Sequence, residues 1–127
     1  MNISETIKNR IKLDKASYFA NDNIASYIRE GELELLKKEV EEKLQGLLES
    51  LIIDTENDHN TIETAKRVSK MYLTEVFKGR YEQCPKVTDF PNAKNLDQIY
   101  TVGPISVRSA CSHHLVPIIG KIGKSLH

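Results

Sequence analysis

The sequence carries no excess of either charge, with 18 Lys and Arg against 18 Asp and Glu in 127 residues. That balance removes any global drive toward nucleic acid or an anionic membrane, although a local basic patch could still hold a phosphate. There is no apolar run of membrane-spanning length. The opening Met1-Asn2-Ile3-Ser4-Glu5 leads into mixed polar sequence rather than a secretory leader. Only 2 cysteines occur, Cys84 and Cys111; without an export signal they predict free thiols in a cytoplasmic chain rather than a disulfide. Internal repeats and low-complexity tracts are absent as well. Gly120-Lys121-Ile122-Gly123-Lys124-Ser125 ends like a phosphate-binding loop, but its glycines stand too close together for one.

What is present is helical first and strand-like later. The charged share is 28% and the hydrophobic share 39%, a tilt that suits solvated helices or a core finished against partner subunits. Residues 1–26 read as an N-terminal arm. Ile3, Ile7, Ile11 and Leu13 lie at near-helical spacing there, so the arm is either a short helix or a segment ordered by a neighbour. Next, Leu33, Leu36, Val40, Leu44, Leu47, Leu48, Leu51 and Ile52 form one apolar stripe of a long helix. Glu39, Glu41, Glu42 and Lys43 fall on its solvated faces, with Glu34–Lys38 and Glu39–Lys43 as supporting pairs. A polar connector covers residues 54–60. Asn60 and Glu63 resemble a capping box, predicting a second helix from Thr61. Ile62, Ala65, Val68, Met71, Tyr72 and Val76 would be its buried stripe and Gly79 its stop. Arg67 and Lys70 share a face of this helix, either as solubilising charges or as ligand contacts.

Cys84-Pro85 and Phe90-Pro91-Asn92 mark an irregular connection. Beyond it Ile99, Tyr100, Thr101, Val102, Ile105 and Val107 are strand formers, with alternation at Ile105, Val107 and Ser109. Leu115-Val116-Pro117-Ile118-Ile119 supplies a second strand, so a hairpin-like pair should flank the segment between them. The fold class is α+β. Two strands alone are marginal in water, which leaves the sheet incomplete.

That intervening segment is Cys111-Ser112-His113-His114. Thiolate and imidazole are favoured zinc donors, and a catalytic zinc takes three protein ligands with one open position. Cys111 and His114, three apart, could turn toward one ion and leave His113 free for proton transfer. A buried structural cysteine beside two histidines on an exposed turn is equally consistent with the spacing. Cys84 is a weak candidate for a third ligand, having no histidine beside it.

The run from Leu96-Asp97-Gln98-Ile99-Tyr100-Thr101-Val102-Gly103-Pro104-Ile105 through Ser106-Val107-Arg108-Ser109-Ala110-Cys111-Ser112-His113-His114-Leu115-Val116-Pro117-Ile118 resembles the metal-site segment of the GTP cyclohydrolase I family. Thr64-Ala65-Lys66-Arg67-Val68-Ser69-Lys70-Met71-Tyr72, with Glu75-Val76-Phe77 and Gly79, is similar to the family's preceding helix. The resemblance runs from about residue 27 to residue 121, and makes residues 27–127 the N-terminal portion of such a domain.

It implies the tunnelling fold, with N-terminal helices outside an antiparallel sheet that closes into a ring across subunits. It implies hydrolysis of GTP at C8, loss of formate and formation of 7,8-dihydroneopterin triphosphate, with Zn2+ as cofactor. Cys111 and His114 would be zinc ligands and His113 the substrate-contacting proton donor near the purine N7. Arg67 and Lys70 would reach the triphosphate bound by a neighbouring subunit. Expected partners are GTP and either further copies of the chain or a complementing chain; no nucleic acid or membrane is expected. Ser112 stands where many members carry an acidic residue. A third zinc ligand (a cysteine), an acidic anchor for guanine and further cations belong to a region of the family beyond His127, and nothing around His127 suits it as a substitute. An inactive fragment, an assembly subunit and one half of a split enzyme are therefore the alternatives to a self-sufficient enzyme, with a zinc-binding module unrelated to pterins a further one.

Overall fold

The computed structural model describes residues 2–86, 88 and 99–126. Phe90-Pro91-Asn92, the Leu96-Asp97-Gln98 start of the strand motif, and His127 lie outside the described residues. The chain divides into a helical unit, Met1–Gln83, and a β unit, Cys84–His127.

The helical unit begins with α1, Ile3–Leu13, whose Asn2 side chain accepts from the Glu5 amide and so satisfies one of the donors a helix start leaves open. Ile7 and Ile11, one turn apart, are 3% and 2% exposed, whereas Leu13 is 86% exposed because two further residues rotate it away from that face. The two isoleucines join Ile24, Leu36 and Leu73 in the buried cluster. The N-terminal segment is therefore a helix ordered by its own chain.

α2 spans Glu32–Ser50. Its N-cap, Gly31, sits at φ +80°, a left-handed conformation that glycine adopts without a Cβ clash. Glu32, in the first turn, takes a two-pronged guanidinium contact from Arg10, with Nη2 donating at 2.8 Å, and also accepts from the Arg29 amide at 2.7 Å. Arg10 donates to the Tyr27 carbonyl as well, at 2.9 Å, so one side chain joins α1, the turn Ala25–Tyr27 and α2. The expected pairs along α2 rearrange. Glu34 pairs with Lys37 at 2.8 Å, and Glu39 instead accepts from the Ser4 amide at 3.0 Å, an open donor at the start of α1. The apolar stripe is covered only in its first half: Leu36 is buried, while Leu47, Leu51 and Ile52 are exposed.

α3 is Thr64–Met71, starting later than the Asn60–Glu63 pattern predicts. The capping box does not form, because Asp58 takes the Asn60 amide and the Thr61 hydroxyl, both at 3.0 Å, and holds that stretch as turns. The later start shifts the inward face to Ala65, Ser69, Leu73 and Val76, and leaves Ile62 exposed. Ser69, 1% exposed, donates its hydroxyl to the Lys37 carbonyl at 2.6 Å and pins α3 to α2. A π-helical turn, Tyr72–Val76, leads into α4, Lys78–Tyr81. Gly79 lies inside α4 and is not a stop; the chain turns extended at Glu82. Arg80 donates to the carbonyls of Tyr18 and Asp22, and Asn23 donates to those of Gly79 and Glu82, lashing the 18–24 loop to α4.

The β unit is an antiparallel pair, β1 Tyr100–Ala110 and β2 Pro117–Leu126. Residues 120–125 lie within β2. Between Val102 and Ile105 the register shifts, placing Gly103 and Pro104 opposite Gly123 as a bulge. A Cβ on Gly103 would lie 3.0 Å from Gly123 Cα, so the close strand approach requires glycine there. The pairs Ile105–Ile122, Val107–Gly120 and Ser109–Ile118 share one face, and Ser106–Lys121 and Arg108–Ile119 the other. The alternation read from β1 is the observed one. Its apolar side chains remain uncovered: Val102, Ile105, Ile118 and Ile122 are 43% to 56% exposed.

The Arg10 contact, followed by the Arg29 amide, holds the Glu32 carboxyl far below its ordinary value, from 4.5 down to about 2. A depressed carboxylate adds stability that is fully present above about pH 4.5 and is lost as pH falls through about 2. Asp22 and Asp54 are also held low by hydrogen bonds and add to the same slope. Glu32→Gln should therefore lower the thermal midpoint of the helical unit at neutral pH and flatten, without abolishing, its decline in acid. Circular-dichroism melts across that range check this; an unchanged acid slope in the variant would contradict it.

Candidate metal centre

The Cys/His segment is the connection of the hairpin. β1 and β2 close on the Ala110–Pro117 pair, and beyond it the Cys111 amide donates to the Val116 carbonyl at 3.0 Å. The Leu115 amide then donates back to the Cys111 carbonyl at 2.7 Å, closing a single helical turn around Ser112, His113 and His114. Leu115 has φ +57°, a left-handed conformation that a side chain with a Cβ adopts at a cost of about 1–2 kcal/mol. The local sequence explains the reversal. Pro117 has no amide to donate and drives Val116 toward extended backbone, so Leu115 must swing the chain from helical turn to strand in one residue.

Cys111 is half-buried at the strand end; Ser112, His113 and His114 are exposed. The thiol Sγ lies 3.7 Å from His113 Nδ1, so the structure brings Cys111 and His113 together. His114 stands three residues from Cys111 across the helical turn, a spacing that places two residues on the same side. Among the described residues no three Cys, His, Asp or Glu side chains gather closely enough to hold a metal ion. Thiolate and imidazole are donor types that zinc prefers, and the turn alone holds fewer of them than the three protein ligands a catalytic zinc takes. Cys84 and Cys111 are both free thiols, and Cys84 is exposed.

Arg67 and Lys70 belong to the helical unit, exposed on α3. Arg67 Nη2 donates back to the Asn60 carbonyl at 3.1 Å and lies 3.4 Å from the Thr64 hydroxyl, which steadies its guanidinium. Lys70 borders a groove between α2 and α3. The one site-shaping residue that sequence reasoning passes over is Leu115. Left-handed positions are normally flagged by Gly or Asn, and here the only signal was Pro117 two residues on.

Helices followed by an antiparallel ribbon with Cys-x-His-His at its turn make this an α+β chain carrying an incomplete tunnelling fold. Comparison with known proteins narrows the class. The GTP cyclohydrolase I family model matches residues 40–123, much of the stretch over which the motifs resemble that family. GTP cyclohydrolase 1 of Shewanella loihica is 39% identical over 88 residues, covering 68% of this chain and 41% of that protein. The Aliivibrio salmonicida protein of the same name is 40% identical over 86 residues, 67% of this chain and 39% of its own length. The Yersinia enterocolitica one is 35% identical over 94 residues, 73% and 42% respectively. This chain belongs to the GTP cyclohydrolase I family. It spans about two-fifths of the length of these curated relatives.

If the Leu115 conformation holds the turn, Leu115→Gly should keep the Leu115-to-Cys111 hydrogen bond and Leu115→Val, β-branched and disfavoured at positive φ, should weaken it. Amide hydrogen exchange at position 115 reports this directly. Protection in the valine variant equal to that in the parent would show that the turn does not depend on this conformation.

Proposed function

We propose that the chain takes part in converting GTP to 7,8-dihydroneopterin triphosphate and formate, at a zinc site built on Cys111 and His114. The observation that carries this reading is the Cys111-x-His113-His114 turn at the tip of the ribbon, in a chain of this family. Cys111 and His114 offer a thiolate and an imidazole from the same side of one turn, the donor types zinc prefers. When bound, zinc would make water acidic enough to act as a nucleophile at neutral pH. His113 delivers a proton to the purine N7, making C8 more electrophilic, the general-acid role to which an imidazole is suited. Its Nδ1, facing the Cys111 thiol at 3.7 Å, leaves Nε2 as the nitrogen to meet the ring. Arg67 and Lys70 take triphosphate oxygens, Arg67 with a guanidinium already oriented by Asn60 and Thr64.

The third zinc ligand and the rest of the sheet come from polypeptide outside these 127 residues, on the same chain or a complementing one. Further copies of the chain assemble with it into a homo-oligomer. Two features support that completion. The apolar face formed by Val102, Ile105, Ile118 and Ile122 is exposed, and an isolated two-stranded ribbon is marginal in water. The free thiols at Cys84 and Cys111 suit the cytoplasm. No helix among the described residues is long and apolar enough to cross a membrane. A second reading is a chain that serves only as an assembly subunit, in keeping with the exposed apolar face of the ribbon.

The test is incubation with GTP and zinc, with and without a complementing C-terminal chain, followed by oxidation and detection of neopterin fluorescence. Product should form in at least the complemented mixture. His113→Ala should lower turnover by roughly 100-fold or more, the usual size of a lost general acid, with zinc content unchanged. Cys111→Ala should lose the zinc. Zinc loss in His113→Ala would reverse the division of labour between the histidines, and absence of product in every mixture would leave the assembly-subunit reading.

A further inference from the structure

At the end of α2 the Ile53 amide donates to the Leu48 carbonyl at 3.2 Å and the Ile52 amide to the Glu49 carbonyl at 2.9 Å, a closing turn that holds Ile52 at φ +63°. Glycine or asparagine ordinarily takes that position, and a β-branched side chain is disfavoured there. Ile52 is also 93% exposed, so neither the backbone nor the core of this chain gains from it. Leu47 and Leu51, at the same end of α2, are more than half exposed. The end of α1 is built alike. The Ala16 amide donates to the Ile11 carbonyl at 3.1 Å, Lys15 takes the left-handed position, Leu13 is exposed, and the loop that follows exposes Tyr18 and Phe19.

These two helix ends carry opposite charge. Residues 44–65 hold Glu49, Asp54, Glu56, Asp58 and Glu63 and no Lys or Arg, whereas residues 8–15 hold Lys8, Arg10, Lys12 and Lys15 against Asp14. They also lie far apart. Glu39 accepts from the Ser4 amide and Glu32 pairs with Arg10, so α1 runs antiparallel to α2 and Leu13 lies near the start of α2. From there α2 carries the chain about 30 Å to Ile52, at 1.5 Å per residue.

We infer that the Leu51–Ile52 end of one copy docks on the Leu13 end of the next, head to tail, with Ile52 as the apolar anchor and Glu49 and Glu56 facing Lys12 and Lys15. None of these four charges belongs to an ion pair among the described residues. A two-fold pairing through either end would set like charges against each other, which selects the head-to-tail arrangement. Burying Ile52 in a neighbour offsets the cost of its backbone position. Such a contact closes into a ring or extends into a filament. It rests on the homo-oligomer proposed above and gives it an interface that uses neither the ribbon nor Arg67 and Lys70.

The test is zero-length carbodiimide cross-linking of an equal mixture of 15N-labelled and unlabelled full chains, read by peptide mass spectrometry alongside sedimentation. Peptides joining Lys12 or Lys15 to Glu49 or Glu56 should carry mixed labels, because about 30 Å separates these residues within one copy. Ile52→Asn should weaken association about tenfold or more, yet raise the thermal midpoint of the diluted chain, because asparagine accepts the left-handed backbone. Leu13→Asn should weaken association to a similar extent. Both positions are exposed, and far-UV circular dichroism confirms that the variants fold. Each variant keeps one working end, so an equal mixture of the two should recover a dimer that neither forms alone. No mixed-label cross-link, or parent-like association in both variants, overturns the docking while a homo-oligomer built through other faces stands. Weakened variants that do not complement each other overturn the head-to-tail arrangement. A parent that sediments as a monomer at every concentration removes the docking and the homo-oligomer together.

Discussion

The backbone hydrogen bond from the Leu115 amide to the Cys111 carbonyl, 2.7 Å long, is the constraint on which the shape of the Cys/His turn, and with it the proposed zinc site, depends. It converts a hairpin connection into one helical turn, within which the Cys111 thiol lies 3.7 Å from His113 Nδ1. Without it, residues 111–116 would be an ordinary loop and side chains three apart would have no reason to face the same ion. The turn is held from both ends. The Cys111 amide is tied to the Val116 carbonyl, and Leu115 takes up the left-handed backbone that lets β2 start at Pro117. Left-handed backbone at a residue with a side chain is a common mark of a functional segment, and here it coincides with the only close Cys/His sequence in the chain.

The helical unit is organised by side chains reaching backbone rather than by surface ion pairs. Arg10 joins α1 to α2 through Glu32 and the Tyr27 carbonyl, Glu39 takes the Ser4 amide, and Ser69 takes the Lys37 carbonyl. The Ser4 amide is one of the donors a helix start leaves open, and the Ser69 hydroxyl is a buried polar group that the Lys37 carbonyl satisfies; leaving either unpaired costs more than a surface pair returns. The result is a scaffold whose α2–α3 spacing is fixed, with Arg67 and Lys70 on its outer face. The ribbon is the opposite case. Its two strands are paired along their length, but its apolar side chains Val102, Ile105, Ile118 and Ile122 are exposed, and a two-stranded ribbon by itself is marginal in water.

Periodicity made most of this architecture legible. α2 and the two strands follow from hydrophobic spacing, and the separate identity of the Cys/His turn follows from the strands around it. Three features escaped for physical reasons. The start of α3 depended on Asp58 taking the Asn60 amide that a capping box would give to the Glu63 side chain, a contest between two carboxylates that spacing does not resolve. Gly79 looked like a stop, yet α4 runs through it because the loop at 18–24 is bonded to that turn from a distant part of the sequence. Ser69 is absent from the apolar stripe that spacing predicts, whereas it is 1% exposed and its hydroxyl pins α3 to α2. At the site, residue types were visible in sequence, but the contact between Cys111 and His113 and the reversal at Leu115 are products of hairpin closure.

X-ray absorption at the zinc edge, on the chain loaded with one equivalent of zinc, tests the metal half-site most directly. The account predicts a sulfur neighbour at about 2.3 Å together with an imidazole nitrogen near 2.0–2.1 Å, with the imidazole signature lost in His114→Ala. A shell of oxygen and nitrogen without sulfur, or an imidazole signature that survives in His114→Ala, would contradict it.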